Sequence, residues 1–433
     1  MNHARNTTAA NRGSHRTDLL YQHGKGRRNR YYLFLLALMG SLAFAGCSKS
    51  TANFSTNEVR ILKVNETKTF SDRAMADLRN VLAALFGTPD NPLVPETEGM
   101  SKTIDIRKLR LAAGPVFGSE TRQTRGLFRR HCAHCHGLAG DGNGPTAQFL
   151  NPYPRDFRLG IFKFKSNEKG SKPTHADLTK ILFNGIRGTA MPSFKLLHKD
   201  EIEALVHYVK YLSIRGQMER FLIQQTADLD DDDRLFDKGQ KEKLEPILEE
   251  LTKWQKAWST STSTPVPKRV AKTELPKSAK LGRELFYGGL AKCTDCHGDS
   301  ALGDGDSVMS RAKPFYDEWT LDWTAGIKDP TDTKQVAVFL DHGALKPRKI
   351  KPRNLRQGVF RGGHRPIDIF WRIKNGIDGT PMQAVAKRTP TEPAAKGLTD
   401  EQIWQLVDYV RNWLPYESLS KPPEDKVYQR DRL

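Results

Sequence analysis

The sequence predicts a mainly α-helical protein: two tandem copies of one helical domain behind an N-terminal helical extension. Three observations carry that expectation. The unit Cys-x-x-Cys-His-Gly occurs twice, at Cys132–Gly137 and at Cys293–Gly298. Matching segments flank both copies in the same order, and repeats are to be sought before a fold is assigned. The segments with an apolar period show helical spacing, as in Ile403, Leu406, Val407, Val410 and Trp413.

The recurrence is specific. Gly126-Leu127-Phe128 precedes the first unit as Gly282…Leu285-Phe286 precedes the second. Gly140-Asp141-Gly142 is set against Gly303-Asp304-Gly305, and Pro154-Arg155-Asp156-Phe157 against Pro352-Arg353-Asn354-Leu355. The loop from Asn184 to Met191 corresponds to that from Asn375 to Met382, and the stretch from Asp200 to Val209 to that from Asp400 to Val410. Thr399 with Gln402, and Asp200 with Glu203, have the spacing of a capping box at the start of these closing helices.

Cysteine spacing indicates the chemistry. Two thiols three residues apart, followed at once by a histidine, form the attachment signature of c-type haem. The thiols meet the two vinyl groups, and the neutral imidazole is held under the ring as an iron ligand. A zinc site would need a further Cys or His pair at finger-like spacing, and a redox dithiol leaves the histidines unexplained. Of the five cysteines, Cys132, Cys135, Cys293 and Cys296 belong to the two units and only Cys47 is left over, so no thiol remains for a structural disulfide. Two haem c groups, covalently attached, are the expected cofactors.

The order of these elements resembles class I cytochrome c: a helix before the motif, a loop, a methionine loop and a closing helix. That resemblance implies two cytochrome c-like domains, each around one haem, with His136 and His297 as proximal and Met191 and Met382 as distal iron ligands. Met309 is a rival to Met382, lying in an insertion that the first repeat lacks. The histidines at 175, 198, 207, 342 and 364 are alternative distal ligands by type, but read better as surface or packing residues. Arg155 and Arg353 are expected to bind haem propionates, because a guanidinium fork fits a carboxylate. Pro145 is a candidate for holding the proximal histidine. The family also places an aromatic where first and closing helices cross; Tyr208, Tyr211, Tyr409 and Trp413 are candidates.

The chain divides by composition. Residues 1–46 carry seven basic residues and one acid, then the apolar run Tyr31–Ala45, which is short for a membrane span. Phe44-Ala45-Gly46-Cys47 resembles a bacterial lipoprotein cleavage box, making 1–46 a signal peptide and Cys47 the lipidated residue. Residues 47–115 form a tether and helical extension, with an amphipathic helix from Phe70 to Phe86 stopped by Gly87 and Pro89. Cytochrome domain 1 occupies 116–216, and 217–275 is a helical segment followed by the Ser/Thr/Pro linker Ser259–Pro267. Domain 2 spans 276–418 and a polar tail 419–433. From the second motif cysteine to the shared proline is 56 residues in domain 2 (Cys296 to Pro352) and 19 in domain 1 (Cys135 to Pro154). This insertion, about 305–345, is aromatic and is followed by basic residues. It reads either as a partner interface or as a flap over the haem.

The formal charge is +19, of which +6 lies in residues 1–46. The remaining basic residues are scattered, with no nucleic-acid motif, which favours an acidic redox partner or an anionic membrane surface. The expectation is a membrane-tethered dihaem electron carrier rather than an enzyme, exported and facing the periplasm. It would relay single electrons between respiratory-chain or dehydrogenase partners. The alternatives are a dihaem oxidoreductase of the peroxidase or thiosulfate-oxidising type, which needs one iron without methionine, and an electron-transfer subunit of a larger respiratory complex.

Overall fold

The computed structural model describes residues 52–116, 125–230, 233–235, 241–269, 274–306, 315–317, 323, 327, 330–385 and 397–417. The signal segment, Cys47, Met309 and the 419–433 tail lie outside them. No helix among the described residues is long and apolar enough to cross a membrane.

The extension folds as α1 (Glu58–Val64), α2 (Asp72–Phe86), α3 (Met100–Thr103) and α4 (Ile106–Ala112). Helix α2 follows its apolar period: Leu78, Leu82 and Phe86 are buried, and the Ser71 side chain caps the start. Gly87 ends it in the left-handed region (φ +67°), where a side chain would also strike the Asn91 carbonyl.

Domain 1 continues with α5 (Leu127–His131), α6 (Ala133–His136), α7 (His175–Asn184) and the closing helix α8 (Lys199–Ala227). Helix α8 is 29 residues long and does not stop near 216. Met218, Leu222 and Ile223 carry its apolar face onward and are fully buried. Its capping box is His198 with Glu201, two residues earlier than the sequence spacing suggested. Glu203 instead meets His175 at 2.8 Å.

The extension is built into the same core as domain 1. The Asn57 amide donates to Glu219 at 3.0 Å, and the Tyr211 hydroxyl donates to the Phe86 carbonyl. Glu219 also pairs with Arg215 at 3.2 Å, both side chains nearly inaccessible.

Helix α9 (Lys241–Ser259) leads to the Ser/Thr/Pro stretch, which is hydrogen-bonded on both sides. Thr264 N–H donates to the Ser166 carbonyl at 2.9 Å, and the Trp371 indole donates to the Thr264 carbonyl at 3.2 Å. Domain 2 then has α10 (Leu275–Tyr287), α11 (Cys293–His297), α12 (Thr333–Asp341), α13 (Pro366–Asn375) and α14 (Asp400–Asn412). Helices α10 and α14 cross at Gly282, where a Cβ would stand 2.0 Å from the Gln405 carbonyl oxygen. An aromatic pair marks the equivalent place in each domain: Phe128 with Tyr208 at 4.8 Å, and Phe286 with Tyr409 at 5.7 Å. The capping box Thr399–Gln402 forms as expected.

The insertion in domain 2 reaches back over domain 1. Trp323 stacks on Phe339 of α12 at 4.9 Å, in a small core that also takes Tyr153 and Leu62. The Tyr153 hydroxyl donates to the Lys346 carbonyl at 3.1 Å, and Asn143 Nδ2 donates to the Gly343 carbonyl at 2.8 Å. Arg348 lies over the Tyr153 ring at 3.6 Å.

Candidate functional site

Each motif forms a short helix turned back by glycines. In domain 1 the Gly142 amide donates to the His136 carbonyl at 2.9 Å and the Gly144 amide to the Cys135 carbonyl at 3.0 Å. In domain 2 the same bonds run from Gly303 to His297 at 2.9 Å and from Gly305 to Cys296 at 3.2 Å. The structural equivalents are therefore Gly142 with Gly303 and Gly144 with Gly305. The sequence match of Gly140-Asp141-Gly142 to Gly303-Asp304-Gly305 is corrected by two residues. Space enforces the new register. A Cβ at Gly144 would sit 2.5 Å from the Ala133 carbonyl oxygen, and one at Gly305 2.4 Å from that of Asp295.

The histidines are fixed alike. His136 Nδ1 donates to the Arg155 carbonyl at 2.9 Å, and His297 Nδ1 to the Arg353 carbonyl at 3.1 Å. A carbonyl only accepts, so the proton sits on Nδ1 and Nε2 presents a lone pair to a metal. The holding residue is thus Arg155, through its backbone, and not Pro145. The His136 ring also stacks on Phe157 at 4.7 Å, where domain 2 has Leu355. Burial pushes the His136 imidazole down to about 4, so it stays neutral as a ligand must; His297 is lowered for the same reason.

The thiols behave as buried groups. Burial, with the second thiol nearby, pushes Cys132 and Cys293 up to about 12. That is opposite to the activated thiolate of a redox dithiol. Among the described residues, the grouping of three potential metal-ligand side chains is His175, Glu203 and His207, which includes neither motif.

The methionine loops repeat bond for bond. In domain 1 the Ile186 amide donates to the Met191 carbonyl at 3.1 Å, Thr189 Oγ1 to the Ile186 carbonyl at 2.7 Å, and the Met191 amide to Thr189 Oγ1 at 3.2 Å. In domain 2 the series is Ile377 to Met382 at 3.1 Å, Thr380 to Ile377 at 2.8 Å and Met382 to Thr380 at 3.2 Å. Both methionines are half-buried. The sequence reading missed the two threonines, although Gly-Thr-x-Met stands in both loops and could have revealed them.

Each methionine loop also touches the other domain. The Arg353 guanidinium lies 2.8 Å from where a Cβ on Gly188 would stand. Asp378 accepts from the Gly170 amide at 3.0 Å and pairs with Lys165 at 2.9 Å. Arg353 Nε donates to the Val359 carbonyl at 3.1 Å, while burial lowers Arg155 to about 10.

Residues 119–209 match the family described as cytochrome c oxidase, cbb3-type, subunit III, and residues 279–413 match the family described as cytochrome c. The chain belongs to the c-type cytochromes. It carries two cytochrome-c-related domains in a mainly helical fold, and the cytochrome c-type domain implies haem c as cofactor and electron transfer as general function. A chain of the Kuenenia stuttgartiensis reducing HAO-like protein complex Kustc0457/Kustc0458 aligns with 66% of this cytochrome and 92% of itself, at 23% identity and a TM-score of 0.42. No curated protein matches the chain. The residues present fit haem c: in each domain a paired thiol set, a neutral histidine with its Nε2 lone pair available and a thioether loop recur in one framework.

Proposed function

We propose that the cytochrome carries two covalently attached haem c groups and relays single electrons between a donor and an acceptor. Cys132 and Cys135 hold the first, with His136 and Met191 as iron ligands; Cys293, Cys296, His297 and Met382 serve the second. The observation that carries this reading is the repetition of both the histidine clamp and the methionine loop, bond for bond. When bound, haem would supply a one-electron couple, and a thioether together with an imidazole as ligands would favour the ferrous state. The chain's own part is to keep each imidazole neutral, present each thioether, and restrict water. Arg155 and Arg353 would hold propionates with their side chains while clamping the histidines with their carbonyls. The protein would be exported and lipid-anchored at Cys47, facing the periplasm. Its donor and acceptor would be redox proteins, with an acidic docking face suiting the basic chain.

The test is a redox titration of the haem-loaded protein followed by visible and near-infrared spectra. Two haems per chain, each with a sulfur-to-iron charge-transfer band, are expected. Met191→Ala and Met382→Ala should each abolish one band. A high-spin or bis-histidine iron in either domain would overturn the relay reading there and turn attention to the oxidoreductase alternative.

A further inference from the structure

The Ala52 amide donates to Asp90 at 2.9 Å. Asp90 also pairs with Arg129 at 2.7 Å, so the extension is fixed at this point to the loop after α2 and to α5. That loop forms one wall of an open groove of about 760 Å³. The other walls come from α4 through Arg107 and Arg110, from the approach to α5 through Arg125, and from the start of α8 through His198 and Glu201. Neither haem motif nor methionine loop contributes to the lining.

The carboxylates of the groove are already engaged. Asp90 holds Ala52 and Arg129, and Glu201 accepts the His198 amide at 2.9 Å as the cap of α8. Arg107 pairs with Asp105 at 3.3 Å but is 89% exposed, so water screens that pair. Arg110 is exposed and Arg125 half-buried. Bare apolar side chains stand beside these guanidiniums. Leu93, in the wall itself, is 49% exposed. Val116, also exposed, lies two residues beyond Gly114, where a Cβ would stand 3.1 Å from the Arg125 guanidinium. Leu196, 94% exposed, lies two residues before His198. Cations bordered by bare leucine and valine suit a boundary where phosphate meets hydrocarbon: the guanidinium binds the one and the apolar group enters the other.

Chain length indicates what lies opposite. Cys47, the proposed lipid anchor, stands five residues before Ala52, and five extended residues span at most about 18 Å. We infer that this groove is the membrane-facing side of the protein, and that Arg107, Arg110 and Arg125 receive the phosphate of an anionic phospholipid from the bilayer that holds Cys47. This deepens the lipid-anchored reading and rests on it. Stable anchoring takes two signals, and a basic patch beside a lipidated residue supplies the second. The groove thereby fixes which side of domain 1 is turned away from soluble redox partners.

The experiment places the haem-loaded protein, extracted whole from cell membranes, in vesicles of phosphatidylcholine containing a photoactivatable phosphatidylglycerol. Cross-linked peptides are mapped by mass spectrometry, and the same digest reads the mass of the peptide carrying Cys47. Cross-links should concentrate on residues 90–93 and 107–116, with far fewer from photoactivatable phosphatidylcholine. Arg110→Gln and Arg125→Gln should each lower that yield about fivefold, with haem content retained. If a variant fails to fold, the unsubstituted protein at about 1 M salt, where charges are screened beyond ~3 Å, should lose the same cross-links. A Cys47 without lipid sinks the anchored reading and this orientation with it. A lipidated Cys47 with the groove unlabelled, labelled equally by the neutral lipid, or labelled undiminished in both variants overturns the groove inference alone. Protection of those peptides by added polyglutamate, an acidic stand-in for a redox partner, without any lipid cross-link there, assigns the face to a protein and also overturns it.

Discussion

The two cytochrome domains hold their candidate ligands with the same hydrogen bonds but in different surroundings. In domain 1, Cys132 and His136 are buried at 7% and 8% exposure, beneath a core shared with the extension and the long helix α8. In domain 2, no residue of α11 is fully buried and, among the described residues, the core is smaller. Local bonding is therefore sufficient to build the ligand frame, while the dryness around it is set by what packs from elsewhere in the chain. In the proposed dihaem protein a drier iron would favour its less charged ferrous state, so one frame would serve two potentials without a change of ligand.

The sharpest way to break this contrast is to unpair the buried charges under domain 1. Arg215→Leu leaves Glu219 buried without its cation, which costs about 3–5 kcal/mol. Urea unfolding should show domain 1 losing stability by that amount, and a loss below about 1 kcal/mol would mean that the pair reaches water. Next comes the helix crossing in domain 2. Gly282→Val drives a side chain into the Gln405 backbone, and overpacking of this kind costs about 1–3 kcal/mol. Tryptophan fluorescence in a Trp254→Phe, Trp258→Phe background, which removes the two tryptophans of the domain 1 core and keeps Trp371, Trp404 and Trp413 of domain 2, should report that domain unfolding first. If the two domains still unfold together, the cores are coupled more tightly than their separate packing implies.

A smaller effect tests the bridge between them. Arg348→Ala removes a contact with the Tyr153 ring and a hydrogen bond to the Leu150 carbonyl, together worth about 1–2 kcal/mol. Faster proteolysis within 305–345, with both spectral bands retained, is the expected outcome. Unchanged proteolysis would show the insertion held by its small apolar core alone.

A pH effect confined to domain 1 gives a further test. His207 Nδ1 accepts the Asp105 amide at 3.1 Å, and burial, with Lys210 and His175 nearby, lowers its pKa to about 4. Unfolded histidine titrates near 6.5, so between those values the unfolded chain binds the extra proton. This contribution to stability is complete above about pH 6.5 and is lost as pH falls towards 4. His207→Gln should flatten that acid limb, and an equally steep limb in the variant would place its cause at another group.

The same residues also decide a tempting metal site. His175, Glu203 and His207 converge, but Nδ1 of His207 accepts a backbone amide and Nδ1 of His175 faces the Lys210 ammonium at 3.2 Å. Both rings therefore carry their proton on Nε2, the atom a metal would need bare. His175 joins α7 to α8 through Glu203, and His207 joins α8 to Asp105 at the start of α4.

Short-range pattern determined much of this protein by itself. The Cys-x-x-Cys-His units, the Gly-rich methionine loops, helix α2 with its Gly87 stop and the Thr399–Gln402 cap are encoded in residues a few positions apart, where sterics and local hydrogen bonds decide. Tertiary structure alone decided three things. The Arg155 and Arg353 backbones, rather than Pro145, clamp the histidines; the Ser/Thr/Pro stretch is stitched into both domains; and the insertion lies across domain 1. These depend on partners such as Asn143 and Gly343, 200 residues apart. Such a contact leaves no periodicity in either segment, because it exists only once the chain has closed the loop between them.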